Sequence, residues 1–274
     1  MTHEYADSHG HLTMVFDGGE TRGRPRPPSA EELQGLLSRA RGAGVSRILV
    51  PGTSRGDQRL AVGIADAHEG VFAAVGVHPH EAKEFDEEAD LALFEELCGS
   101  RKVVAVGEIG LDYHYDHSPR DVQKRVLVSQ LRFAKERGLP VLLHNRNSER
   151  DLLPILEAEY PGSPGDRRGV FHSFCADAET GRRAIALGYL VSFSGMITFR
   201  AAGNVREAAA ALPLGAMLVE TDAPYLAPAP FRGKPNEPSY LPRTAAKLAE
   251  VKGTSPDEVA AVTTANFRRL FSTP

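Results

Sequence analysis

The segment Tyr5-Ala6-Asp7-Ser8-His9-Gly10-His11 runs from a short apolar strand candidate straight into a turn that carries two imidazoles. A doubly wound nucleotide-binding sheet would place G-x-G-x-x-G at this turn, so that glycine backbone could approach a pyrophosphate. No such motif follows the first strand. Outward from it, further strand candidates lie at Ser46 to Val50, Val71 to Val77, Val103 to Gly107, Pro140 to His144, Gly169 to His172, Leu190 to Ser194 and Met217 to Glu220. Longer amphipathic stretches alternate with them, the pattern of βα units wrapped around a parallel sheet. Eight units in 274 residues average about 34 residues each, which predicts a closed (β/α)8 TIM-type barrel of the α/β class.

The intervening helices have legible starts and stops. Ser29-Ala30-Glu31-Glu32 reads as a capping box ahead of Leu33, Leu36 and Leu37, with Gly42-Ala43-Gly44 as the stop. Others are expected at Asp57 to His68, Glu87 to Cys98, Pro119 to Glu136, Ser148 to Glu159, Ala176 to Leu187, Val205 to Ala211, Leu241 to Val251 and Ser255 to Arg269. No linker, low-complexity tract or internal repeat interrupts residues 1–274, so one domain is expected; only Phe16 to Pro28, rich in Gly, Arg and Pro, is irregular.

Composition narrows the function classes. With 42% hydrophobic and 25% charged residues the chain is an ordinary globular one, which excludes a fibre or a disordered tail. No apolar run approaches the roughly 18 residues of a membrane helix, and the start lacks a basic region followed by an apolar one, so no membrane partner and a cytoplasmic location are expected. Cys98 and Cys175 fit no disulfide framework or cysteine zinc site and read as two buried thiols. A net charge of −4 gives no general positive field, so any nucleic-acid contact must be local. No obligate protein partner is evident, and a monomer is expected.

In a barrel of this kind the working residues sit at the carboxyl ends of the strands. His9 and His11 end the first strand, Glu108 the fourth, His144 the fifth, His172 the sixth and Asp222 the eighth. Each has a bland reading: a lone strand-end His is commonly just hydrogen-bonded, Glu108 can cap a loop, and Asp222 can be an N-cap. As a set they are harder to dismiss. Four imidazoles and two carboxylates buried together without a counter-ion would leave polar atoms unpaired at several kcal/mol each. Two divalent ions about 3.5–4 Å apart, joined by a bridging carboxylate and leaving a position open for water, remove that cost. His9 and His11, two apart on extended chain, point the same way and can reach one ion.

Other groups near the strand ends stay open at this stage. In His78-Pro79-His80, His78 can meet a phosphate or a water, or belong to a Pro-stiffened turn. Arg146 is a candidate phosphate clamp, with a salt bridge to Glu149 or Asp151 as the alternative. The loop Leu111 to Arg120 is an aromatic rim that can stack an unpaired base while Arg120 meets backbone, or else Tyr113 and Tyr115 only pack it. Arg22, Arg24 and Arg26 can contact strand phosphates or belong to a solvated loop. The Phe231 to Pro238 loop can bind phosphate through Arg232 and Lys234 or serve as a stiff connection. Cys175 is rejected as a nucleophile, and His3, His68, His114 and His117 are taken as surface residues.

These residues resemble the TatD-type metal-dependent hydrolases of the amidohydrolase-like barrel superfamily. The resemblance is carried by Asp7-Ser8-His9-Gly10-His11-Leu12, Gly76-Val77-His78-Pro79-His80, Gly107-Glu108-Ile109-Gly110-Leu111-Asp112-Tyr113, His144-Asn145-Arg146 and Phe171-His172-Ser173-Phe174. Glu220-Thr221-Asp222-Ala223-Pro224-Tyr225-Leu226, the Arg232 to Pro238 loop and Asn266 to Phe271 continue it across nearly the whole chain. Gly10 and Thr13 stand where family members often have Cys and Asp, and Pro235 replaces a frequent basic residue. The resemblance implies a deoxyribonuclease, acting 3′ to 5′ on single strands, with DNA as partner and two divalent ions per chain. Magnesium or manganese is the implied metal, and zinc also suits the nitrogen and oxygen donors. Carried over position by position, His9, His11, Glu108 and Asp222 would hold one ion, and Glu108, His144 and His172 the other, with Glu108 as bridge. Asp222 would orient or deprotonate the attacking water, while Arg146 and His78 would steady the scissile phosphate. The competing expectation is a metal-dependent ester or amide hydrolase, such as a D-aminoacyl-tRNA deacylase; a catalytically idle binding protein is a third.

Overall fold

The computed structural model describes residues 4–16 and 25–273. Eight parallel strands pair in chain order: β1 (Tyr5–Asp7), β2 (Val45–Pro51), β3 (Val71–Val75), β4 (Val103–Asp112), β5 (Val141–Arg146), β6 (Gly169–Phe171), β7 (Tyr189–Phe193) and β8 (Met217–Val219). The seam between β8 and β1 is closed beyond their ends. Ser8 N–H donates to Val219 O at 3.1 Å, Asp222 N–H to His9 O at 2.8 Å and His11 N–H to Ala223 O at 2.7 Å. The (β/α)8 barrel expected from the spacing is the fold that forms.

Around the strands lie α1 (Ala30–Gly42), α2 (Arg55–Ala67), α3 (Glu87–Leu97), α4 (Arg120–Arg137), α5 (Glu149–Glu159), α6 (Ala178–Ala186), α7 (Gly203–Ala211), α8 (Leu241–Lys252) and α9 (Pro256–Phe271). The Ser29 capping box is present in full, its side chain accepting from Glu32 N–H and the Glu32 carboxylate from Ser29 N–H. Among the described residues no helix is long and apolar enough to cross a membrane.

Alternate strand residues enter two packing layers. Leu49, Ala74, Leu142, Val170 and Leu218 pack with Phe267, Leu270 and Phe271 of α9, whereas Ile48, Val75, Leu143, Phe171 and Val219 join the apolar sides of the other helices. With both faces buried, the strands read as unbroken apolar runs. Continuing the first alternation by one step puts His144 after Leu142, His172 after Val170 and Glu220 after Leu218, all on one side. The centre is thus the polar continuation of an apolar layer.

Two strands outrun their expected ends. β4 continues through Glu108 to Asp112, and β5 through His144 to Arg146, pairing Gly110 with His144 and Asp112 with Arg146 after a register shift between Val106 and Ile109. Glycine makes this approach feasible. A Cβ on Gly110, whose φ is +149°, would lie 2.0 Å from the His144 carbonyl oxygen, and one on Gly107 would lie 2.4 Å from Leu142 Cβ. Within the irregular stretch, Val15–Phe16 pairs antiparallel with Pro25–Arg26. Strands of two residues are too short for any periodicity to announce them.

Candidate metal centre

Glu108 lies at the middle of the cluster, almost fully buried. Its Oε1 is 2.9 Å from His144 Nδ1, 2.9 Å from His172 Nε2 and 3.3 Å from His78 Nε2. Its Oε2 faces the other half, 3.3 Å from His9 Nε2 and 4.0 Å from His11 Nε2. Asp222 Oδ1 closes that half at 3.7 Å from His9 and 3.5 Å from His11. The residue is held at φ +57°, a left-handed conformation that Asp tolerates better than most residues. All six residues singled out for the metal, together with His78, meet around one carboxylate.

The donor set fits divalent ions. His9 Nε2 and His11 Nε2 are 3.2 Å apart, and His144 Nδ1 is 3.3 Å from both His172 Nε2 and His78 Nε2. Nitrogens crowded so closely around one carboxylate do not have protons arranged to satisfy every contact. Donors sharing an ion at about 2.0–2.2 Å stand roughly 3–3.5 Å from one another. The groups His9–His11–Glu108, His9–His172–Asp222 and His78–Glu108–His144 each bring their ligand atoms within 4.8 Å.

The electrostatics agree. Burial alone would raise the Glu108 carboxyl, but the imidazoles of His172, His78 and His9 outweigh it and hold the group well below the usual range. Burial likewise opposes ionisation of Asp222, and the His11 bond overcomes it, so its pKa falls. Burial presses His78 down to about 4, against the attraction of Glu108, leaving the ring neutral. Its Nδ1 accepts from His80 N–H at 3.1 Å, so the remaining proton sits on Nε2 and points into the centre.

Three acidic residues that the strand-end reading assigned no role support this shell. Asp112 Oδ2 takes His144 Nε2 at 3.0 Å and His80 Nε2 at 2.9 Å, while Oδ1 accepts from the N–H groups of His114 and Tyr115. This fixes the His144 ring with Nδ1 toward Glu108. Burial opposes the Asp112 charge, but the His144 and His80 bonds keep its pKa far below normal. Glu220 Oε1 lies 3.3 Å from His172 Nδ1 and accepts from Ser173 N–H at 2.7 Å. Asp7 accepts from Thr221 N–H and from the Thr221 hydroxyl, tying β1 to the turn after β8. Period-two counting from Leu218 would have found Glu220; Asp112 was hidden because β4 was expected to stop before it.

The outer groups sort themselves. Arg146 lines the cavity above the centre, its guanidinium 5.8 Å from the Tyr115 ring centroid. Glu149 instead accepts from Asn145, and Asp151 from Tyr113 and Lys124, so neither expected salt bridge to Arg146 forms. Arg120 forks onto Asp116 and lies over the Tyr113 ring. Arg26 is exposed and forks onto Glu32, while Arg22, Arg24 and His3 lie outside the described residues. Arg232 is exposed and lies over the Phe199 ring, 3.5 Å from its centroid. His114 and His117 are exposed, as expected, and His68 is half-buried. Cys98 and Cys175 are half-buried rather than fully buried, and burial raises both thiols, that of Cys98 to about 11.

Comparison with known proteins adds an independent line. The family model described as TatD related DNase matches residues 6–272. The "Uncharacterized metal-dependent hydrolase YabD" of Bacillus subtilis is 41% identical over 240 residues, covering 88% of this chain and 92% of the relative. The "3'-5' ssDNA/RNA exonuclease TatD" of Cronobacter sakazakii is 35% identical over 241 residues, 86% and 90% of the two chains. Among solved structures, the TatD homologue YJJV of Escherichia coli K12 superposes with a TM-score of 0.87 at 33% identity, covering 100% of both chains.

Proposed function

The chain belongs to the TatD-related DNase family of metal-dependent hydrolases, and from that premise we propose that it is a two-metal deoxyribonuclease releasing nucleotides from the 3′ ends of single strands. The observation that carries the reading is the buried carboxylate of Glu108, flanked on each oxygen by imidazoles and overlooked by the Arg146 guanidinium. His9, His11, Glu108 and Asp222 would hold one ion, and Glu108, His144 and His172 the second. Divalent ions bound there supply Lewis acidity toward a phosphoryl oxygen and make water a nucleophile near neutral pH.

The remaining work falls to side chains. Asp222, ionised at neutral pH, orients the attacking water and accepts its proton. His78 donates its Nε2 proton to a phosphate oxygen from the inner wall, adding a hydrogen bond without adding charge. Arg146 supplies that charge, its fork matching two phosphate oxygens. Water adds to phosphorus in line as the bond to the leaving 3′ oxygen breaks, and that oxygen takes up a proton from solvent to become the new 3′ hydroxyl. We place the enzyme in the cytoplasm as a monomer.

Two outcomes follow directly. Arg146→Ala is expected to raise KM for single-stranded DNA about tenfold while kcat changes little, measured by steady-state release of labelled nucleotide. Asp112→Asn, which loosens the orientation of His144, is expected to weaken one of two ion-binding steps about 10–100-fold in a manganese titration. Two unchanged steps would leave Asp112 without that part.

The decisive assay incubates end-labelled single- and double-stranded DNA with magnesium, manganese or chelator, beside a D-aminoacyl-tRNA control. Metal-dependent release from single strands supports the proposal. Deacylation without nucleotide release, under any divalent ion, would overturn it in favour of an ester hydrolase.

A further inference from the structure

Among the described residues only two large apolar side chains are exposed, Tyr115 at 55% and Tyr225 at 40%, and both line the cavity of about 510 Å³ over Glu108. Scattered surface aromatics need no explanation, but two at one cavity mouth are a different matter. They stand beside opposite halves of the centre. Tyr225, on the turn after β8, meets the His11 ring edge-on at 6.1 Å, next to Asp222. Tyr115, on the loop after β4, meets His80 edge-on at 5.6 Å, on the side of Asp112 and His144. Both rings are braced: the Tyr225 hydroxyl donates to Met14 Sδ at 3.1 Å, and Tyr115 lies parallel to His117, 5.7 Å away with 6° between planes.

We propose that Tyr115 and Tyr225 are two nucleobase subsites, each stacking one of the bases that flank the scissile phosphate. This rests on the nuclease reading and makes the substrate a strand whose neighbouring bases can be splayed apart. Inside a duplex both faces of every base are already stacked, and freeing two of them costs a few kcal/mol per base. The charge of the chain points the same way. At a net −4, with Arg120, Arg26 and Arg232 paired with Asp116, Glu32 and the Phe199 ring, the overall charge of the chain does not favour gathering the strand. Stacking, which is largely indifferent to sequence, then carries the binding that charge does not.

The test pairs protein changes with substrate changes. Tyr115→Ala and Tyr225→Ala are assayed on single-stranded oligonucleotides carrying an abasic site on one side of the cleaved bond, the other side, or neither. Each alanine variant is expected to raise KM about 5- to 150-fold on intact strands, equal to ~1–3 kcal/mol at 1.4 kcal/mol per decade, with kcat much less affected. Each should be insensitive to one abasic position, a different one for each variant, and Tyr→Phe should restore KM because the ring is kept. If the parent enzyme cleaves both abasic strands as well as intact ones, or the alanine variants respond to both positions as the parent does, the subsites do not exist although the nuclease does. If the parent cleaves no oligonucleotide, the nuclease reading and the subsites fall together.

Discussion

Glu108→Ala should abolish nucleotide release, with a fall of about 10³-fold or more, and should lower the metal content of the purified chain. The size follows from position. One carboxylate lies within 3.3 Å of His9, His78, His144 and His172, so its loss removes a donor from each proposed ion at once. Several kcal/mol of charge stabilisation in the reacting state goes with it, at 1.36 kcal/mol per decade of rate. Elemental analysis gives the metal count, labelled single-stranded DNA the rate, and circular dichroism shows that the barrel persists. Near-native release by a folded Glu108→Ala protein would sink the shared-carboxylate arrangement. Arg146→Ala is the contrast, since it should weaken substrate handling while leaving the ions in place.

The second large effect concerns backbone. Gly110→Ala is expected to destabilise the fold by about 3–5 kcal/mol, near the upper end for a single substitution. An added Cβ would stand 2.0 Å from the oxygen and 2.8 Å from the carbonyl carbon of His144, at a φ of +149° that side chains rarely adopt. No rotamer change relieves a clash with main chain, so β5 must shift and carry His144 away from Glu108. At about 2–4 °C per kcal/mol for a chain of this size, the melting temperature should drop by about 10 °C, read in a thermal scan. A midpoint within 2 °C of the parent would mean that β4 and β5 do not approach so closely. Gly63→Ala is a suitable reference because no described atom lies within 4 Å of its added Cβ.

The barrel was legible in the sequence because its evidence is repetitive: about 34 residues per unit, apolar strands and capped helices, each cheap to recognise and mutually consistent. The six strand-end donors were legible for the same reason, since the fold dictates where to look. What stayed hidden depended on distances. Asp112 was assigned to a rim loop because nothing local says that Gly107 and Gly110 let β4 run on beside β5. Glu220, which period-two counting from Leu218 reaches, stands at the same strand end as Asp222, and the strand-end reading takes only Asp222 from that pair. The fate of the arginines was hidden too: whether Arg120 reaches substrate or Asp116 is decided by loop geometry, and one of the two expected partners of Arg146 was instead taken by Lys124.

The seam of the barrel carries a consequence for how the protein is made. His9 and His11 are synthesised more than 200 residues ahead of Asp222, whose main chain clasps theirs across the last gap. A nascent or prematurely terminated polypeptide ending before β8 lacks the eighth stave and Asp222, one of the six proposed ligands. Synthesis of β8 and the turn after it is therefore the step that completes the proposed centre.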